Sequence, residues 1–159
     1  RRAASGESFE GVEGGDAGFL AMLYEIIRDR PDVQRGWLEA ELDAQLFLKD
    51  LGNATAVSKM ADDQTEGMDR RTLWASLYGQ NPEAIGGGKE KLTLRYVFDD
   101  TARQLVTAAT RFLHGRKVVP DAILRPEAIM DDVAKAVLTS RGLSAPIGFV
   151  AEQPDSAYE

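Results

Sequence analysis

His114 is the only histidine in the chain, and so the first residue to weigh as a general base or metal ligand. On a helix starting at Asp100 it shares a face with Arg103, Thr107 and Arg111 and lies opposite Leu105, Ala109 and Phe112. A ligand or general base needs carboxylate or imidazole partners converging on it, and these neighbours are cations. His114 is therefore expected to be a solvated surface residue. The acid pairs Asp62-Asp63, Asp99-Asp100 and Asp131-Asp132 would diverge by about 100° on a helix, too far to share one metal or one proton. Helix capping accounts for the middle pair and solvation for the other two.

Other motifs fail at identifiable positions. Gly86-Gly87-Gly88-Lys89 has the glycines and lysine of a phosphate-binding loop, but Glu90 stands where the magnesium-binding Ser or Thr belongs. Glu83 takes the place of the first glycine. The segment therefore reads as a linker. No Glu-x-x-His pair offers di-iron ligands, and no Gly-x-Ser-x-Gly elbow presents a serine nucleophile. A Ser-His-Asp site stays open, because triads are defined in space and not by sequence order. Asn53-Ala54-Thr55 fits the glycosylation pattern, although Asn53 is better used to end a helix. With zero cysteines, thiolate zinc, iron–sulfur, disulfide and cysteine-nucleophile chemistry drop out. No catalytic residue, cofactor or metal ligand is assigned, and a non-enzymatic role is expected.

Composition narrows the partners. The chain of 159 residues holds 26 acids against 19 Lys and Arg, and a net charge of -7 disfavours broad binding to phosphate backbones. Nucleic acid is thus an unlikely partner and other protein chains are the expected ones. No apolar run approaches the roughly 18 residues of a membrane span. Arg1-Arg2-Ala3-Ala4-Ser5 has the acid-free bias of a transit-peptide remnant, but five residues do not decide the compartment, which stays open between an organelle after processing and the cytoplasm.

The elements that must carry any surface are mainly helical. Residues 1–15, rich in Gly, Glu and Ser, read as a flexible arm. A helical domain is expected over 16–143, with a hinge near 79–90, followed by an extended tail over 144–159. Asp16 can cap a first helix that carries Phe19, Leu20, Leu23, Ile26 and Ile27 and stops at Pro31. Asp32 can cap a second that ends at Gly52-Asn53, and a weaker piece follows over Ala54 to Ala61. Asp69 can cap a helix through Leu73, Trp74, Leu77 and Tyr78, and Asp99 or Asp100 one that runs to His114. Leu92 to Phe98 alternates like a strand, although a lone strand has little to pair with. Pro126 is expected to open the last helix, carrying Ile129, Val133 and Val137 inward to Gly142. The fold class expected is mainly α, a bundle of four to five helices with flexible terminal arms and at most one short extended segment.

The helix from Val33 to Leu51 is the most informative. Val33, Trp37, Ala40, Ala44, Phe47 and Leu51 recur in alternating steps of four and three, laying one seam along it. Leu38, Leu42 and Leu46 form a second apolar stripe on the opposite side. One neighbour cannot satisfy both faces. Either this is a central helix packed on two sides, or the Leu38, Leu42 and Leu46 stripe docks a partner chain. The second reading makes the protein an interaction or assembly subunit of a larger complex and makes these leucines its partner-binding residues.

A different reading comes from Leu51-Gly52-Asn53-Ala54-Thr55-Ala56-Val57-Ser58-Lys59-Met60 and Met68-Asp69-Arg70-Arg71-Thr72-Leu73-Trp74. Together they resemble the helix-turn-helix of small bacterial regulators. The resemblance implies a DNA-binding regulator using the segment 51–78, with Arg70 and Arg71 at the nucleic acid. The sequence departs from that pattern between Ala61 and Gly67, where a longer connection carries Asp62, Asp63 and Glu66, acids that repel phosphates.

Overall fold

A computed structural model describes residues 20–81 and 90–158. The expected arm over 1–15, the proposed cap Asp16 and most of the proposed hinge lie outside the described residues. Among the described residues the fold is mainly α. It has six α-helices: Tyr24–Asp29 (α1), Pro31–Lys49 (α2), Ala54–Gln64 (α3), Arg70–Leu77 (α4), Asp100–Gly115 (α5) and Asp132–Ser140 (α6). Two strands, Glu90–Leu94 (β1) and Gly148–Ala151 (β2), form one small sheet. None of these helices is long and apolar enough to cross a membrane.

Local chemistry sets the starts of α2, α4 and α5. Asp69 accepts the Thr72 amide at 2.8 Å and Asp99 accepts the Ala102 amide at 2.8 Å, so each carboxylate satisfies a backbone donor that its helix leaves unpaired. The Thr72 amide also holds the Asp69 carboxyl below the ordinary carboxylate range. Pro31 is the first residue of α2, where its fixed φ suits a helix and its missing N–H costs nothing. The last helix starts later than the proline signal predicts. Pro126–Ala128 makes a single 3₁₀ turn, Ile129 is extended, and α6 begins only at Asp132.

Contacts group the chain into two units, one drawn from residues 1–35 and 97–137 and the other from 36–96 and 138–159. In the first unit Ala102, Leu105, Ala134 and Val137 are buried. Asp131 is buried beside them and accepts from Arg103 Nη2 at 2.9 Å and Lys135 Nζ at 2.8 Å. The solvated role expected for this aspartate is corrected: its two oxygens are shared between two cations, which is what allows a carboxylate to be buried.

The second unit buries Leu42, Trp74, Tyr78, Leu94, Leu138, Ile147 and Val150. Its α3 and α4 pack together. The extended segment after Ser144 supplies the strand that pairs with β1. β2 runs antiparallel to β1, with Leu92 opposite Val150 and Leu94 opposite Gly148, and the register slips once between Glu90 and Leu92. Beyond β2 the chain returns to the end of α4. Gln153 N donates to Tyr78 O at 2.7 Å and Gln80 N to Gln153 O at 3.0 Å, and the Lys91 ammonium reaches Gly79 O at 2.8 Å. Gly79 is obligatory here, because a Cβ would stand 2.8 Å from the Ala75 backbone.

Leu42 is fully buried, whereas Trp37 on the same helix is 57% exposed, so the two respond differently to truncation. Leu42→Ala is expected to cost about 2–5 kcal/mol and Trp37→Ala less than about 1 kcal/mol, measured by urea unfolding at neutral pH. The opposite order would mean that the Trp37 side of α2 faces the core.

Candidate functional site

His114 is exposed, its Nδ1 3.4 Å from Val119 O, and no three acids or imidazoles among the described residues converge on a point that could hold a metal. Asp63 pairs with Lys59 at 2.8 Å on the surface of α3. What remains is the surface of α2, and its setting follows from the groups that grip it.

Four side chains of the second unit fasten α2. The Tyr96 hydroxyl donates to Leu38 O at 2.6 Å and the Tyr78 hydroxyl to Leu48 O at 3.1 Å. Lys49 reaches across to Ile147 O at 2.8 Å, and its stem lies so close to Gly148 that a Cβ there would sit 2.9 Å from Lys49 Cδ. Arg141 forms an ion pair with Asp43. Tyr96 occupies the left-handed region at φ 63°, an uncommon setting for an aromatic residue.

These attachments set the rotation of α2, and with it which apolar stripe is covered. The expected exposure of Leu38, Leu42 and Leu46 is corrected: Leu42 is fully buried and the other two are half-buried. The physical reason is that Lys49 lies only about 20° from Leu42 around the helix and anchors that side to the C-terminal segment. The opposite seam is the open one. Trp37, Ala40, Ala44, Phe47 and Leu51 are all exposed, with Phe47 at 40% and Leu51 at 37%. Leu51 lies just beyond the end of α2, in the 3₁₀ turn Leu51–Asn53. Trp37 to Phe47 form a stripe about 15 Å long on a helix rise of 1.5 Å per residue. Its flanks are acidic, with Glu41 and Asp43 on either side and no Lys or Arg between Gly36 and Leu48. Glu41 accepts from Gln45 Nε2 at 2.8 Å.

Arg70 and Arg71, at the start of α4, meet the C-terminal segment. Arg70 Nε donates to the Tyr158 hydroxyl at 3.3 Å, and the two guanidinium carbons stand 5.9 and 5.7 Å from the Tyr158 ring centre. Trp74 meets the same ring edge-on at 5.5 Å, and Arg71 lies 3.8 Å from Asp155. Sequence reasoning missed this clasp, because nothing local to Tyr158 marks its target.

Compared with protein-family models, with curated proteins and with solved structures, the chain finds no match.

The two tyrosines that hold α2 carry a pH signature. Burial pushes the Tyr78 hydroxyl up to about 12. Burial, with Glu41, Glu39 and Asp43 nearby and opposed by Arg141, pushes Tyr96 up to about 12 as well. An unfolded tyrosine loses its proton near pH 10, so between there and about 12 the unfolded chain binds fewer protons than the folded one. This contribution to stability is complete below about pH 10 and fades as pH rises through about 12. Urea midpoints are expected to fall over that interval. The fall should be shallower in a Tyr78→Phe, Tyr96→Phe variant, and an equal slope in both proteins would contradict the assignment.

Proposed function

We propose that the protein is a non-catalytic interaction or assembly subunit that docks another protein chain on the exposed face of α2. One observation carries this reading: Trp37, Ala40, Ala44 and Phe47 form an exposed apolar stripe on a helix whose other side already faces the core. Scattered surface hydrophobics are ordinary, but an aligned stripe centred on an exposed Trp and Phe has the composition of interface cores, and a chain that left it open would pay for that exposure in self-adhesion. Trp is also among the residues most enriched where binding energy concentrates. The acidic flanks form a polar rim that sets orientation more than affinity.

The regulator reading gains no comparable support. Arg70 and Arg71 are turned to Tyr158 and Asp155, and Asp62, Asp63 and Glu66 stand in or beside the connection to α4.

Replacing Trp37 in the full chain with a photo-reactive phenylalanine analogue, expressed in the native host, is expected to give a covalent protein adduct on illumination. The same probe at exposed Gln104 of α5 serves as control. A Trp37→Asp, Phe47→Asp variant should lose the association while melting within a few degrees of the parent, since both side chains are surface substitutions. An illuminated Trp37 position that yields no adduct would remove the α2 face from consideration.

A further inference from the structure

We propose that the C-terminal end of α5 is an anchor for an anionic membrane surface, on which Leu113 and Val118 enter the headgroup boundary while Arg111, Arg116 and Lys117 meet the lipid phosphates and carboxylates. This surface lies in the first unit and does not depend on what α2 docks. Between Asp100 and Asp121 the chain carries four Arg or Lys and no acid, although its net charge is -7. Three of the four fall between residues 111 and 117. Every residue from Arg111 to Val118 is exposed, Val118 at 67%, whereas Ala102 and Leu105 earlier in the helix are buried. Among the described residues none of the three cations forms an ion pair, and the guanidinium of Arg116 stands 5.6 Å from the Phe112 ring centre. Asp121, the nearest acid beyond them in sequence, is paired with Arg125 at 3.5 Å.

Cations near a helix C-terminus are ordinary, because they complement its dipole. The backbone here is less so. Val118 N donates to Leu113 O at 2.9 Å and Lys117 N to His114 O at 2.8 Å, the paired bonds that close a helix through one left-handed residue. That residue is usually glycine, yet here it is Lys117, at φ 60°. The strained position sets an ammonium in the closing turn and brings Val118 back to the turn that carries Leu113. A helix end with eight exposed residues in succession suits a surface that yields to it. A protein partner would have to provide a pocket, and a nucleic acid has no use for Leu113 and Val118, whereas a bilayer takes apolar side chains at its boundary and cations at its phosphates. Each cation near such a surface strengthens binding about fivefold, and screening confines the repulsion from the chain's acids to those within about 8 Å.

The test titrates the full chain with phosphatidylcholine vesicles and with vesicles that also contain about 30% phosphatidylserine, read by co-sedimentation at low salt. Binding is expected to be at least about tenfold tighter to the anionic vesicles and to vanish at about 0.5 M salt. Lys117→Gly separates binding from folding. Glycine adopts φ 60° freely, so this variant should melt within about two degrees of the parent or above it while binding about fivefold more weakly. Val118→Asp, at an exposed position, should abolish binding and leave the fold intact. The chain has no cysteine, so a polarity-sensitive dye on Val118→Cys reports contact directly. Its emission should shift to the blue on anionic vesicles, and the same dye on Gln104→Cys, exposed in the first half of α5, should not respond. Equal binding to both vesicles, binding without a shift at position 118, binding unchanged by Lys117→Gly, or no binding to either vesicle would each overturn the proposal. Retention on an acidic peptide or an oligonucleotide in place of vesicles would assign the same cations to that partner and overturn the membrane anchor.

Discussion

The rotational setting of α2 is the constraint on which the surface of the second unit depends. Two tyrosine hydroxyls donate to carbonyls ten residues apart on that helix, at Leu38 and Leu48, while Lys49 and Asp43 tie its flank to the C-terminal segment. Each contact is worth on the order of 1 kcal/mol, more where a charge takes part, but their effect is geometric before it is energetic. A helix with apolar residues on two sides has two reasonable ways to face a core. The side chains of Lys49 and Asp43, fixed to one flank of α2, choose between them, because turning α2 by half a revolution would carry them away from Ile147 and Arg141.

The same economy explains the C-terminal segment. Among the described residues β1 pairs with β2 alone, a strand of only four residues far away in sequence. Ile147 hands its amide to Leu94 and its carbonyl to Lys49, so one residue is held by both the sheet and α2. Farther on, Tyr158 sits among Arg70, Arg71 and Trp74, using the ring face for the cations and the hydroxyl as an acceptor. The segment is extended, as its Pro and Gly content indicates, and it is also a structural part of the second unit.

What could be read from the sequence was local. The caps at Asp69 and Asp99 were legible because an aspartate before a helix bonds a backbone donor within three residues. The two apolar stripes of α2 were legible because period alone reveals them. Which stripe lies inside was not, since the answer depends on Arg141 and Ile147, distant in sequence and silent about their targets. The burial of Asp131 was half legible: Lys135 follows at the helical spacing of four, but Arg103 comes from another helix. The strand pattern of residues 92–94 was visible, whereas its partner around Phe149 and Val150 gave too short a run to announce itself.

The pairing of β1 with β2 also orders events in time. A chain made from its N-terminus exposes β1 to the cell long before β2 exists, and the Lys49 to Ile147 contact spans 98 residues. Until β2 and the Tyr158 clasp emerge, the edge of β1 stays unpaired and the Leu42 side of α2 lacks its anchors. For that interval both faces of α2 are open, and the nascent second unit presents more apolar surface to chaperones and to neighbouring chains than the finished protein does. The segment that carries β2 and Tyr158 is thus the one that ends this exposure.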